Sequence, residues 1–152
     1  MKNIWVFQLH EPLQDARQEK IKTALGSFLS NWQAHGEPVP AKFDIHGGRF
    51  ILVHAQEDAA SGCSIDRMFR ETLGILETNG AKVAGPENVF YKNADGNIQC
   101  FHFLEAENLV KSGTIGPATI VYNSSITREE DLTTFESPLK DTGLARFLGE
   151  TV

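Results

Sequence analysis

Phe50-Ile51-Leu52-Val53 sets four apolar side chains in succession, and a strand built on such a run has no face to give to water. A fold that holds it must cover a sheet on both sides. Ile4 to Leu9, nearly continuous in apolar character and mixing aromatic with β-branched residues, predicts a second strand of the same kind.

Helical periodicity fills the interval between these strands. From about Gln14 to Trp32 the apolar residues Ile21, Leu25, Phe28, Leu29 and Trp32 fall on one stripe. Asp15 and Glu19 stand near its start, where the helix dipole favours negative charge. His35-Gly36-Glu37-Pro38-Val39-Pro40 ends it, because the prolines lack a donor and Gly36 suits a C-terminal cap. Ala41 to Ile45 and Arg49 to Ala55 read as strands joined by a turn at His46-Gly47-Gly48. Ile65, Met68, Phe69, Leu73 and Leu76 then form a second helical stripe, ending near Asn79-Gly80. Asn88 to Lys92 and Asn97 to Phe103 form a predicted hairpin about Asn93-Ala94-Asp95-Gly96, Ala118 to Asn123 a further strand, and Leu144 to Leu148 a short helix.

The order strand, helix, strand, strand, helix, strand through about residue 92 is that of a ferredoxin-like α+β sandwich, with two helices on one face of an antiparallel sheet. The expectation is one α+β domain over residues 1–152. In it a ferredoxin-like βαββαβ core, residues 1–92, carries a C-terminal β-rich extension that covers or extends the sheet. A second copy of the chain, in a homodimer, is the other candidate for that cover.

Composition narrows the function classes. Apolar residues make up 41% and charged residues 22%, the balance of a chain that folds throughout. Fourteen Lys and Arg against twenty Asp and Glu give a net charge of −6, with the cations scattered. Nucleic acid is excluded as a partner, since backbone binding needs clustered cations. No apolar run is long enough for a membrane helix, and the start has the features of no signal peptide, so a cytoplasmic protein is expected. Two cysteines, Cys63 and Cys100, make no disulfide framework and fit a reducing compartment.

The ferredoxin-like order would bring two distant segments to one sheet edge: Trp32, His35, Gly36 and Glu37 after the first helix, and Ser61, Gly62, Cys63, Ser64 and Asp66 before the second. A helix start stabilises an anion through its unpaired backbone donors and its dipole. With Ser64 as the expected N-cap and Asp66 in the first turn, Cys63 would sit at that mouth. In a catalytic reading Cys63 is a nucleophile, His35 its base and Glu37 the residue that orients the imidazole. In a structural one, Ser61, Gly62 and Ser64 cap the helix, Cys63 packs as a small hydrophobe, Trp32 is core, and His35-Gly36 closes a helix.

Weaker patterns have turn or packing explanations. Cys100 and His102 share a strand face but lack a second ligand pair. Asn93, Asp95 and Asn97 imitate a calcium loop without its glutamate. His46-Gly47-Gly48 imitates an oxyanion tripeptide but sits in a hairpin. Neither a metal nor a cofactor is expected.

Trp32-x-x-His35-Gly36 followed by Ser61-Gly62-Cys63-Ser64-Ile65-Asp66, in a chain of this size, resembles a family of uncharacterised small bacterial proteins, some labelled "ABC transporter ATPase". The resemblance covers most of the chain, and the six-residue cysteine motif is its most specific part. It implies no nucleotide chemistry, because the sequence has no Gly-x-x-x-x-Gly-Lys-Ser/Thr loop. The leading functional expectation is a module that binds a small anion or a partner segment at the start of the second helix; the alternative is a thiol-dependent acyl transferase or hydrolase.

Overall fold

The computed structural model describes residues 2–56 and 58–149. It is an α+β fold whose chain order is β1 (Lys2–Gln8), α1 (Asp15–Ser30), β2 (Gln33–Ala34), β3 (Glu37–Pro38), β4 (Ala41–His46), β5 (Phe50–Gln56), α2 (Gly62–Thr78), β6 (Asn88–Lys92), β7 (Ile98–His102), α3 (Ala106–Lys111), β8 (Ile120–Tyr122) and β9 (Glu136–Pro138). These elements divide between two compact units, Met1–Ala84 with Ile126–Glu130, and Gly85–Ser125 with Asp131–Val152. No helix among the described residues is long and apolar enough to cross a membrane.

In the first unit β5 lies between β1 and β4 and pairs antiparallel with both. Phe7 faces Ile51 across one ladder, and Phe43 faces Val53 across the other. These side chains share a core with Ile21, Leu25 and Leu29 of α1 and with Met68 and Leu76 of α2. Strand residues alternate between faces, so Ile4, Phe50, Leu52 and His54 take the side away from the helices, and they too are buried. The expected central strand with two covered faces is therefore present at β5.

The expected fourth strand of this sheet is not at Asn88–Lys92, which as β6 pairs in the other unit. Beside β1 instead run two short segments. Near Leu9, a single bridge at Val83 is flanked by His10 N–H donating to Lys82 O (3.0 Å) and Ala84 N–H to Gln8 O (2.7 Å). Near Asn3, Ile4 N–H donates to Thr127 O (2.9 Å), with a bridge from Asn3 to Arg128. The first segment stops at Gly85-Pro86, where proline has no N–H with which to continue a ladder. The second is the part of the C-terminal region that extends the sheet. Together they cover the two ends of the outer edge of β1, which would otherwise offer unpaired donors and acceptors to another chain.

The helix ends follow local chemistry. At the end of α2, Gly80 takes φ 73°; its N–H donates to Glu77 O and the Ala81 N–H to Leu76 O, the paired bonds of a Schellman motif. Leu73, placed in the buried stripe by periodicity, is 40% exposed, and Thr72 holds the buried position instead, its hydroxyl on the Met68 sulfur at 3.6 Å.

In the second unit β7, β6, β8 and β9 form an antiparallel sheet in that order. Tyr91, Phe101, Val121 and Leu139 pack with Ala106 of α3 and Ile115. The calcium-like Asn93–Asn97 segment is a turn: Asn93 Oδ1 accepts from the N–H groups of Asp95 (3.0 Å) and Asn97 (2.9 Å). His102 Nδ1 accepts from Leu104 N–H at 3.2 Å, starting the turn that precedes α3, and the expected C-terminal helix is a 3-10 segment, Gly143–Leu148.

Candidate functional site

The two segments singled out in the sequence meet in the first unit. Trp32 is 1% exposed, and its indole Nε1–H donates to Ser64 O at 2.9 Å across a buried contact. Trp5 meets the same indole edge-on, with ring centroids 6.3 Å apart, and Phe28 lies 6.4 Å away. Trp32 is thus core, and its one polar atom ties the end of α1 to the first turn of α2.

His35 and Gly36 do not cap the helix, whose C-cap is Asn31. Ala34 pairs with Glu37, so the two residues between them are the loop of a minimal hairpin, β2–β3. His35 has φ 54° and Gly36 φ 79°, and positive φ at both central positions defines the type I′ turn that suits strand twist. Histidine is among the few residues other than glycine enriched in that conformation. The spacing Trp32-x-x-His35-Gly36 is therefore an anchor followed by a turn. His35, Gly36 and Glu37 are exposed at the tip, and β2 packs against α2.

At the helix start Ser61, not Ser64, is the N-cap. Ser64 N–H donates to Ser61 Oγ (3.3 Å), while Ser61 N–H donates to Ser64 Oγ (2.7 Å), a reciprocal capping box with serine at both ends. The cap lies three residues before its expected position because serine serves either role. Asp66 consequently lies beyond the first turn, which holds no acidic residue. Cys63 is in that turn and exposed, so it is not the packed hydrophobe of the structural reading. Gly62 and Cys63 are both exposed, their N–H groups meet no acceptor among the described residues, and a Cβ added at Gly62 would touch nothing.

One ionisable group stands outside the sequence motifs. His54 on β5 is 2% exposed, with Asp44 Oδ2 of β4 3.1 Å from Nε2 and Glu129 Oε2 3.7 Å from Nδ1. Neither ring nitrogen makes a well-directed hydrogen bond. Burial is the largest influence and holds the imidazole below its ordinary pKa of 6.5, aided by Lys42 and opposed by the two carboxylates. A lone histidine inside an apolar strand is the available sequence signal, but its acidic neighbours come from other elements. Among the described residues no group of three or more His, Cys, Asp or Glu is placed to hold a metal ion.

Comparison with family models, with curated proteins and with solved structures finds no match to this chain.

Two outcomes are expected from this geometry. Trp32→Phe removes the indole N–H that donates to Ser64 O and leaves part of the buried indole site unfilled, and should lower unfolding free energy by ~1–3 kcal/mol in urea; Ser61→Ala should cost ~1 kcal/mol through the cap. For His54, the unfolded chain takes up a proton near 6.5 and the native state only at lower pH. Its contribution is intact above about 6.5 and lost as pH falls below that, by no more than ~1.4 kcal/mol per pH unit. Stability measured from pH 7 to 5 should fall less steeply in His54→Gln than in the parent; equal slopes would dismiss the linkage.

Proposed function

We propose that this chain is a binding module rather than an enzyme, taking a small anion at the start of α2 beside the His35-Gly36 turn. The observation that carries the reading is the buried Trp32 to Ser64 hydrogen bond, which holds the hairpin against the helix mouth and leaves the Gly62 and Cys63 N–H groups facing outward. Two adjacent donors at the positive end of a 17-residue helix favour an anion without any side-chain base. The same two segments carry the resemblance to the bacterial family. The sheet arrangement supports a ferredoxin-like reading of the first unit, with β5 inserted between parallel β1 and β4 and the fourth strand reduced to the bridge at Val83.

A thiol-dependent transferase or hydrolase is the second reading, favoured by the exposure of Cys63 in the first turn. The two readings separate on variants. Inorganic phosphate titrated into labelled protein should move the Gly62 and Cys63 amide resonances saturably, and Cys63→Ala should bind within about twofold of the parent. Gly62→Pro deletes one donor at a position where proline suits a helix, after a residue, Ser61, already extended at φ −100° and ψ 170°. It should fold and bind phosphate about tenfold more weakly. Unmoved amides, or undiminished binding in Gly62→Pro, would sink the anion site. Alkylation of Cys63 that already reaches its full rate well below pH ~8.5, the range of an ordinary thiol, would favour the enzyme.

A further inference from the structure

The second unit contains an open cleft of about 900 Å³ bordered by β8, β9 and the turns that follow them. None of the residues expected to form a site lies in it. The walls are rich in oxygen: Ser124, Ser125, Thr133, Thr134, Ser137 and Thr142 contribute, with Glu136 and Asp141, and none of the described lining residues is Lys, Arg or His.

The hydrogen bonds within the cleft decide what it can receive. A serine or threonine hydroxyl has one proton to donate and two lone pairs to accept with. Ser125 Oγ donates its proton to Asn123 Oδ1 (2.6 Å), Thr134 Oγ1 to Asp131 O (3.0 Å), Ser137 Oγ to Thr134 O (2.9 Å) and Thr142 Oγ1 to Leu139 O (2.7 Å). Tyr122 stands opposite Glu136 across the β8–β9 ladder, and its phenol donates to that carboxylate. Burial first, and then Glu136, push the phenol up to about 12, so it stays protonated and keeps donating inward. With these protons committed to the protein's own acceptors, the Ser125, Thr134, Ser137 and Thr142 oxygens present lone pairs beside the Glu136 and Asp141 carboxylates. Asp141 forms no ion pair among the described residues. The unit as a whole has eight Asp and Glu against four Lys and Arg, so its field draws cations and repels anions.

We propose that this cleft binds a small organic polyamine, whose several N–H donors and positive charges match a surface of acceptors that has few protons of its own to offer. A sugar fits less well, because each of its hydroxyls also seeks a donor, and a phosphate or carboxylate finds no cation. Glu136 and Asp141 supply the charge-assisted bonds, and the Ser125, Thr134 and Ser137 oxygens accept the remaining N–H groups.

Spermidine is the probe, titrated calorimetrically into the full chain at low salt, with glucose and inorganic phosphate in parallel. Spermidine should bind saturably at one site, move the amide resonances of Asn123, Ser125 and Ser137, and weaken as salt is raised. Glu136→Gln with Asp141→Asn should reduce affinity about tenfold or more; the amide oxygen that replaces the Glu136 carboxylate still accepts the Tyr122 proton, so the fold is retained. Glu105→Gln with Glu107→Gln removes the same charge outside the cleft and should leave binding within about twofold. An equal loss in both double variants would reduce the effect to general attraction by an acidic protein and overturn the proposal. Unmoved cleft resonances in the parent, or glucose displacing spermidine, would overturn it as well, and the parent's resonances decide the matter even if a variant does not fold.

Discussion

The first unit depends on the double pairing of β5. Phe50 to Ala55 are all buried, and a buried backbone must find its partners within the protein. β1 supplies them on one side and β4 on the other. Once β5 is central, β4 must run parallel to β1, and the chain between them must cross over the sheet. The crossover is α1. The apolar stripe of that helix has somewhere to go only because Ile51, Val53 and Ala55 point to its side. The other side of β5 is equally buried, and this is the setting that makes His54 a costly residue to protonate.

The residues of the two motifs turn out to share a mechanical task. Trp32 bonds to Ser64, Ser64 and Ser61 bond to each other, and His35-Gly36 supply a turn that few residue pairs can adopt. A catalytic dyad is one explanation for their spacing, yet most of it follows from holding a short hairpin against a helix start. What this scaffold leaves outward is a pair of backbone donors and an exposed thiol. Such a surface can attract an anion by its dipole without any precise placement of side chains.

The two proposed sites differ in sign for the same kind of reason. Hydrogen bonds made inside the protein determine which partners remain for a ligand. At the α2 start, side-chain oxygens close the capping box and N–H groups remain. In the second unit the hydroxyl protons of Ser125, Thr134, Ser137 and Thr142 are taken up internally and lone pairs of those oxygens remain. Counting residue types would read both regions as serine-rich polar loops and miss the contrast.

Periodicity and turn chemistry in the sequence were enough to determine α1 and α2, the β4–β5 and β6–β7 hairpins, the Asn79-Gly80 helix stop and the double burial of β5, because each follows from neighbours a few residues apart, whereas the short α3 carries no apolar stripe long enough to read. The meeting of Trp32 with the α2 start was also legible, since it follows from strand order. Only the tertiary structure decided that Asn88–Lys92 leaves the first sheet, that Ser61 rather than Ser64 caps α2, and that Cys63 is exposed. It alone brought Asp44 and Glu129 to His54, and assembled the cleft from β8, β9 and later turns. Those outcomes rest on which of several equally suited partners a group meets, and that choice is made by packing between residues far apart in the chain.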